Sequence, residues 1–296
     1  VASCWDLSKL TCKIITPENL CQNLNQTLDF PVKELYLYGD LPKKIKLAVV
    51  GTRKATQKYL DFTFNLCASL ARNGICILSG LAYGIDIAAH RGALSSKVPS
   101  STAAVLATPI TNIYPSEHIE DVYQILKNCG TVITLKKGSS RTFKSDFIKR
   151  NWILALVADA ILVTQAPKIS GALITAKFGL DLGKDIFAVP GPPWDAACEG
   201  TNQLIKDGAH VVTTENDILE YFNLPIIQIH QETPKLSRDE ISLLALLKTK
   251  DRCFIEDFFA ETNLPYEKLI SAINSLQAKG IIELSISDEV ILKKQI

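Results

Sequence analysis

Between residues 47 and 213 the chain alternates short apolar runs with amphipathic stretches. "LAVV" (47–50) is apolar throughout and ends at Gly51. Such a run suits a strand covered on both faces, as in a parallel sheet. The next segment, "QKYLDFTFNLCASLARN" (57–73), puts Leu60, Phe64, Cys67, Leu70 and Ala71 on one helical face, and Gly74 stops it. The rhythm repeats through strand "ICILSG", helix "IDIAAHRGAL" and strand "TAAVLATPI". A helix follows in "SEHIEDVYQILKNCG", with Ser116 as its N-cap, and then strand "TVITL". A polar loop (136–146) leads into "FIKRNWILALVADAILVTQA", a helix running into a strand. Helix "GALITAKFGLDLGK", strand "DIFAVPG", and a last helix and strand in "EGTNQLIKDGAHVV" complete the series. Six or more such strands, separated by helices, predict a doubly wound α/β domain around a parallel sheet.

The flanks read differently. Residues 1–46 are weakly patterned: "ITPENLCQNL" reads as a short capped helix and "FPVKELYLYGDLPKKIK" as an extended arm with a turn. After "LPIIQIHQETPK" the chain becomes compact, with three helical segments and then a hairpin in "IIELSISDEVILKK". That order predicts a winged helix. The expected organisation is an arm (1–46), a sheet domain (47–222), a linker (223–235) and a winged-helix domain (236–296).

Composition narrows the function. The net charge is only +1 over 296 residues, so a nucleic-acid site must be a local patch and not a global field. No run of eighteen apolar residues exists, so no membrane-spanning helix is expected. "VASCWDLSKLTCK" has no basic segment leading into an apolar one, so no secretory signal is expected. Eight cysteines are scattered without a C-x-x-C pair, which fits free thiols in a reducing cytoplasm better than disulfides or zinc. No metal or cofactor is expected.

Chemistry concentrates where strands end. Gly51-Thr52-Arg53 closes the first strand: glycine allows close approach, and Arg53 can fork a phosphate. The stretch is neither a dinucleotide fingerprint nor a P-loop, and an ordinary strand-to-helix turn also explains it. "SGLAYGIDIAAHRGAL" (79–94) follows the second strand; Gly80 and Gly84 suggest a shared anion shelf beside the first loop. Asp86 reads equally as a cap for the next helix, and His90 on its alanine-rich helix as a packed residue. "GSSRTFKSDFIKRN" (138–151) interleaves Arg141, Lys144, Lys149 and Arg150 with Phe143 and Phe147, a pairing suited to single-stranded nucleic acid. A solvated loop with stapling phenylalanines is the plainer alternative. Ser170-Gly171 and Gly200-Thr201-Asn202 read as helix starts with exposed N–H donors.

Taken together, "VVGTRKAT", "ILSGLAYGIDIAAHRGAL", "TAAVLATPITNIYP", "FIKRNWILALVADAILV", "SGALITAKFGLDLGKDIFAVPG" and "EGTNQLIKDGA" resemble the DprA/Smf family, the DNA-processing proteins of bacterial transformation. The resemblance implies an extended Rossmann-like fold, a cytoplasmic homodimer, single-stranded DNA binding that protects incoming strands, and loading of the RecA recombinase. It implies no catalytic residue. Carried over residue by residue, Gly51, Thr52 and Arg53 match the phosphate-binding turn, and Ser79 and Gly80 the second DNA-facing loop. Lys144 and Phe147 match a basic residue and a stacking aromatic; Arg150 and Asn151 match the R-N motif. Lys149, Ser170 and Gly171 complete the expected nucleic-acid site. Trp152 stands where the family usually has a second arginine, which either loses a cation or supplies a ring. The rival expectations are a nucleotide or nucleoside hydrolase of the lysine-decarboxylase-like type, using Asp86 or Glu199, and a transcription factor led by the winged helix.

Overall fold

The computed structural model describes residues 7, 10–20, 32–225, 236–250, 252–262, 264–279, 281–284 and 289–292. They form two compact units, divided between Ile227 and Gln228. Much of the segment expected as a linker, 226–235, lies outside the described residues, as do most of 1–9 and all of 21–31.

In the first unit the elements in order are β1 (Lys13–Ile15), β2 (Leu35–Tyr38), β3 (Lys46–Val50), α1 (Gln57–Arg72), β4 (Cys76–Ser79), α2 (Ile85–Ser95), β5 (Thr102–Leu106) and α3 (Ile119–Lys127). There follow β6 (Thr131–Thr134), α4 (Lys144–Val157), β7 (Ala160–Val163), α5 (Gly171–Asp181), β8 (Asp185–Ala188), α6 (Glu199–Lys206), β9 (His210–Val211) and α7 (Glu215–Tyr221). The strands make one sheet in the order β1-β2-β6-β5-β4-β3-β7-β8-β9. From β6 to β9 every pairing is parallel; β2 joins β6, and β1 joins β2, antiparallel. The arm expected over 1–46 therefore contributes two strands to the same sheet.

Side-chain alternation divides the core. Leu47 and Val49 of β3 point into the layer built with α1, α2 and α7, whereas Ala48 and Val50 point into the layer under α4 and α5. Both faces are covered, which is why the central strands are mostly apolar; the buried Ser79 and Thr102 hydroxyls donate to Val49 O and Ile77 O. Of the face expected on α1, Cys67, Leu70 and Ala71 are buried and Leu66 joins them, while Phe64 sits at the rim. Gly74, at φ +90°, ends the turn after α1.

The sheet has a switch point. From β3 the chain moves outward to β4, β5 and β6, then returns to lay β7 on the other flank of β3. Ligands of doubly wound folds sit beyond the carboxyl ends of the strands at such a point.

Two local expectations need correction. Ser116 does not cap α3: residues 116–118 form a 3-10 turn, and the Ser116 hydroxyl donates to Glu117. The loop expected over 136–146 is shorter, because α4 already begins at Lys144. Asp146 reaches back to accept the Phe143 N–H at 2.7 Å and pairs with Lys136 at 2.6 Å, closing the first turn without a standard cap residue.

The second unit contains α8 (Arg238–Lys250), β10 (Arg252–Phe254), α9 (Ile255–Thr262), α10 (Tyr266–Ala278), β11 (Ile282–Leu284) and β12 (Glu289–Leu292). Beyond the three helices and hairpin read from the sequence, β10 adds a strand, giving an antiparallel order β10-β12-β11. Leu243, Leu247, Phe258, Leu269, Ile273 and Leu276 form its own core.

Candidate nucleic-acid interface

At the switch point lies an open pocket of about 330 Å³, within the range of small-ligand sites. Gly51, Thr52 and Arg53 after β3, Ser170 and Gly171 at the start of α5, and Asn151 of α4 line it, with Asp86 and Arg150 in its wall. A shallow crevice continues on the β4 side, lined by Arg53, Gly80, Tyr83, Tyr114, Phe147 and Arg150. Segments more than a hundred residues apart thus meet because all sit at strand ends.

The turn after β3 is held by Gln165, at the end of β7. Gln165 O accepts the Thr52 N–H at 2.7 Å, and its side-chain oxygen accepts the Thr56 N–H at 3.1 Å. Arg53 remains exposed, with its guanidinium 6.0 Å from the centre of the Phe147 ring. Phe147 is half-buried and meets Tyr114 edge-on, 6.0 Å between centroids. A cation and a ring whose face is not fully covered therefore stand side by side at the mouth.

Behind them is a buried ion pair. Arg150 Nη1 lies 3.5 Å from Asp86 Oδ2, and both side chains are almost fully buried. The same carboxylate oxygen accepts the N–H groups of Gly80 at 3.2 Å and Ala82 at 3.4 Å. Burial pushes the Asp86 carboxyl up and the Arg150 guanidinium down, each opposed by the other's charge. Asp86 is therefore no cap for α2; it fixes the loop after β4 and the middle of α4 to one another.

The glycines mostly serve the protein's own packing, contrary to the shelf expected at Gly80 and Gly84. A Cβ on Gly80 would fall 1.0 Å from Arg150 Nη1, and one on Gly84, at φ +73°, 2.4 Å from Thr52 O. On Gly51 it would meet Ile85 at 2.4 Å. Only Gly171, among the glycines lining the pocket, would put a Cβ into open space.

Other expected residues are placed as follows. Ser79 is fully buried and its hydroxyl donates to Val49 O at 2.6 Å, so its side chain faces the sheet and not the pocket. The Ser170 hydroxyl accepts the Ala172 N–H at 3.2 Å and caps α5. Asn151 donates to Gly171 O at 3.4 Å, joining α4 to that cap. Helical spacing puts Lys144, Phe147, Arg150 and Asn151 on one side of α4 and Lys149 off it; neither lysine lines the pocket or the crevice. Trp152 is half-buried and packs against the core under α4 and α5. His90 is fully buried, with Nδ1 2.7 Å from the Thr102 hydroxyl, as a packed residue should be. Tyr83, Tyr114 and Gln165 were not singled out from the sequence. Tyr83 stands between two glycines and Tyr114 before Pro115, which marks them as turn residues without revealing that the turns converge.

Comparison with known proteins gives a consistent picture. Residues 13–223 match the model of the family described as DNA recombination-mediator protein A. Protein Smf of Borreliella burgdorferi is 36% identical over 199 residues, covering 67% of this chain and 62% of that protein. DNA processing protein DprA of Streptococcus pneumoniae is 33% identical over 68% of this chain and 70% of its own length. Its X-ray structure superposes with a TM-score of 0.59, covering 64% of this chain and 66% of that one. DNA processing protein A from Helicobacter pylori, solved in a study of its single-stranded DNA binding mode, gives 0.62 at 26% identity, over 73% of this chain and 97% of that one. The match with the Borreliella protein thus spans about three-fifths of that relative's length. Every residue lining the pocket lies inside the matched region, and the chain belongs to the DNA recombination-mediator protein A family, the DprA/Smf proteins.

Proposed function

We propose that the switch-point pocket and its crevice bind single-stranded DNA, with Arg53 on the phosphates and Phe147 against a base. The observation that carries this is the exposed Arg53 beside the half-buried Phe147 ring, at the mouth of an open pocket. Backbone tracking by cations combined with ring stacking suits strands whose bases are unpaired. The binding mode named for the Helicobacter pylori relative supports it. Lys144 and Lys149, outside the lining of pocket and crevice, add positive field around the mouth.

Binding is favoured over catalysis because the one carboxylate in the pocket wall, Asp86, is already engaged by Arg150, Gly80 and Ala82. A hydrolase would need that group free to move a proton. Glu199, the other candidate, stands on the first turn of α6 and outside the pocket lining. Protection of incoming DNA, loading of RecA, homodimerisation and a cytoplasmic setting complete the proposal; family membership supports them. For the second unit we propose a winged helix used for partner contact and not for reading the major groove. On its third helical segment Lys279 is bound to the buried Glu240 at 2.6 Å, which leaves few cations for DNA.

Binding of a fluorescent single-stranded oligonucleotide, against the same sequence as duplex, tests the site. The intact chain should prefer the single strand, and Arg53→Ala should weaken it. The variant should also lower the slope of log K against log salt by roughly 0.7, the share of one phosphate on a single strand. Equal, weak binding to both forms, unaffected by the substitution, would rule out the site and direct attention to nucleotide hydrolysis.

A further inference from the structure

We propose that Trp194, on the loop after β8, is a second stacking contact for single-stranded DNA, at the opposite end of the site from Phe147. The inference rests on the reading of the switch-point pocket as a single-strand site. Trp194 is 85% exposed. Removing apolar surface from water is favourable, and this ring is left in it.

The exposure is built. Pro190, Pro192 and Pro193 precede the ring and restrict the backbone. The Tyr59 hydroxyl donates to Pro190 O at 3.1 Å. Asn202 clamps Gly191 from both sides, accepting its N–H and donating to its carbonyl, each at 3.0 Å. Beyond the ring, Asp195 N–H donates to Pro192 O at 3.0 Å, and the Asp195 carboxylate accepts Ala197 N–H at 2.9 Å. The fully buried Cys198 anchors the far end, 3.3 Å from the Tyr59 hydroxyl. Trp194 is the tip of a turn tied down on both sides, and it loses little freedom on stacking.

Its place in the fold supplies the rest. Tyr114, Tyr83, Arg53, Ser170 and Trp194 follow the carboxyl ends of β5, β4, β3, β7 and β8, which are consecutive neighbours in the sheet. Adjacent strands are about 5 Å apart, so these loops form one row along a single edge. Gln165 ties the row together, since its side-chain nitrogen also reaches Cys198 Sγ at 3.7 Å. Gly200 N–H donates to Ala166 O at 2.8 Å, joining the loop after β7 to the start of α6. On the loop after β7, Lys168 and Ile169 are exposed, and Ile169 lines the pocket. A strand whose phosphates pass Arg53 and the pocket meets Trp194 as it leaves.

The test uses the full chain with oligothymidylates of about 6 and about 20 nucleotides, spanning the site sizes typical of such grooves. Trp194→Ala should weaken the longer oligonucleotide by roughly 5- to 100-fold and spare the shorter; Trp194→Phe should retain most of the affinity. The longer oligonucleotide should quench tryptophan emission in the wild type, and Trp194→Phe should lose that quenching. If Trp194→Ala binds both lengths like the wild type while Arg53→Ala binds neither, the second contact is overturned and the pocket reading stands. If the wild type shows no affinity for single strands, both fall together.

Discussion

At the scale of single residues, the site depends on which groups are free and which are spent. Gly80 and Gly171 make the contrast measurable. Gly80→Ala forces a Cβ into the Arg150 guanidinium and should cost about 1–3 kcal/mol of stability, read as a lower urea midpoint. Gly171→Ala meets no neighbour at the start of α5, so its midpoint should hold. Because Gly171 lines the pocket, the variant's oligonucleotide affinity should fall. A Gly80→Ala variant as stable as wild type would mean that Arg150 has another place to go. The sequence displayed the glycines, but their spacing cannot show whether a missing side chain makes room for a ligand or for a neighbouring residue. Ser79 illustrates the same limit: its place beside Gly80 suggested the DNA-facing side, whereas strand alternation turns its hydroxyl onto Val49.

At the scale of elements, α2 and α4 decide the geometry. α4 buries its carboxyl half among Ile153, Leu154 and Leu156, and extends its first two turns past the strand ends. That placement brings Phe147, Arg150 and Asn151 to the site. The helix itself was legible from its apolar half. Its start was not, because Lys136 and Asp146, ten residues apart, do the work of a cap. α2 is fastened to the sheet by His90. The Thr102 hydroxyl donates to Ile77 O at 2.7 Å, so its oxygen accepts from His90 Nδ1, which places a ring proton on that nitrogen. Burial lowers the His90 pKa from 6.5 to about 4. Between those values the unfolded chain binds the proton and the folded chain does not. Stability is therefore full above about pH 6.5 and falls as pH drops toward 4, by on the order of 3 kcal/mol at the lower end. Urea midpoints from pH 7 to 4.5 should show the decline, and His90→Gln should flatten it; an unchanged slope would assign the acid sensitivity elsewhere.

At the scale of the whole molecule, the fold class was legible in the strand–helix alternation, because parallel strands covered on both faces are mostly apolar. The two antiparallel additions, β1 and β2, were hidden by their shortness and by the polar residues around them. The two units have separate cores. Calorimetry should accordingly resolve two transitions, and Leu247→Ala, removing a fully buried side chain from the second core, should lower only one of them by the equivalent of about 2–5 kcal/mol. A single transition that moves as a whole would show the units to melt as one. The outermost strands carry a different implication. Among the described residues the wide sheet ends in three residues on one side and two on the other. An open edge recruits another chain by offering a long ladder of unsatisfied amides and carbonyls. Edges this short offer only a few rungs to a strand of another copy. The strand-end row can then stay open to a polymer threading along it, without the sheet itself becoming a template for aggregation.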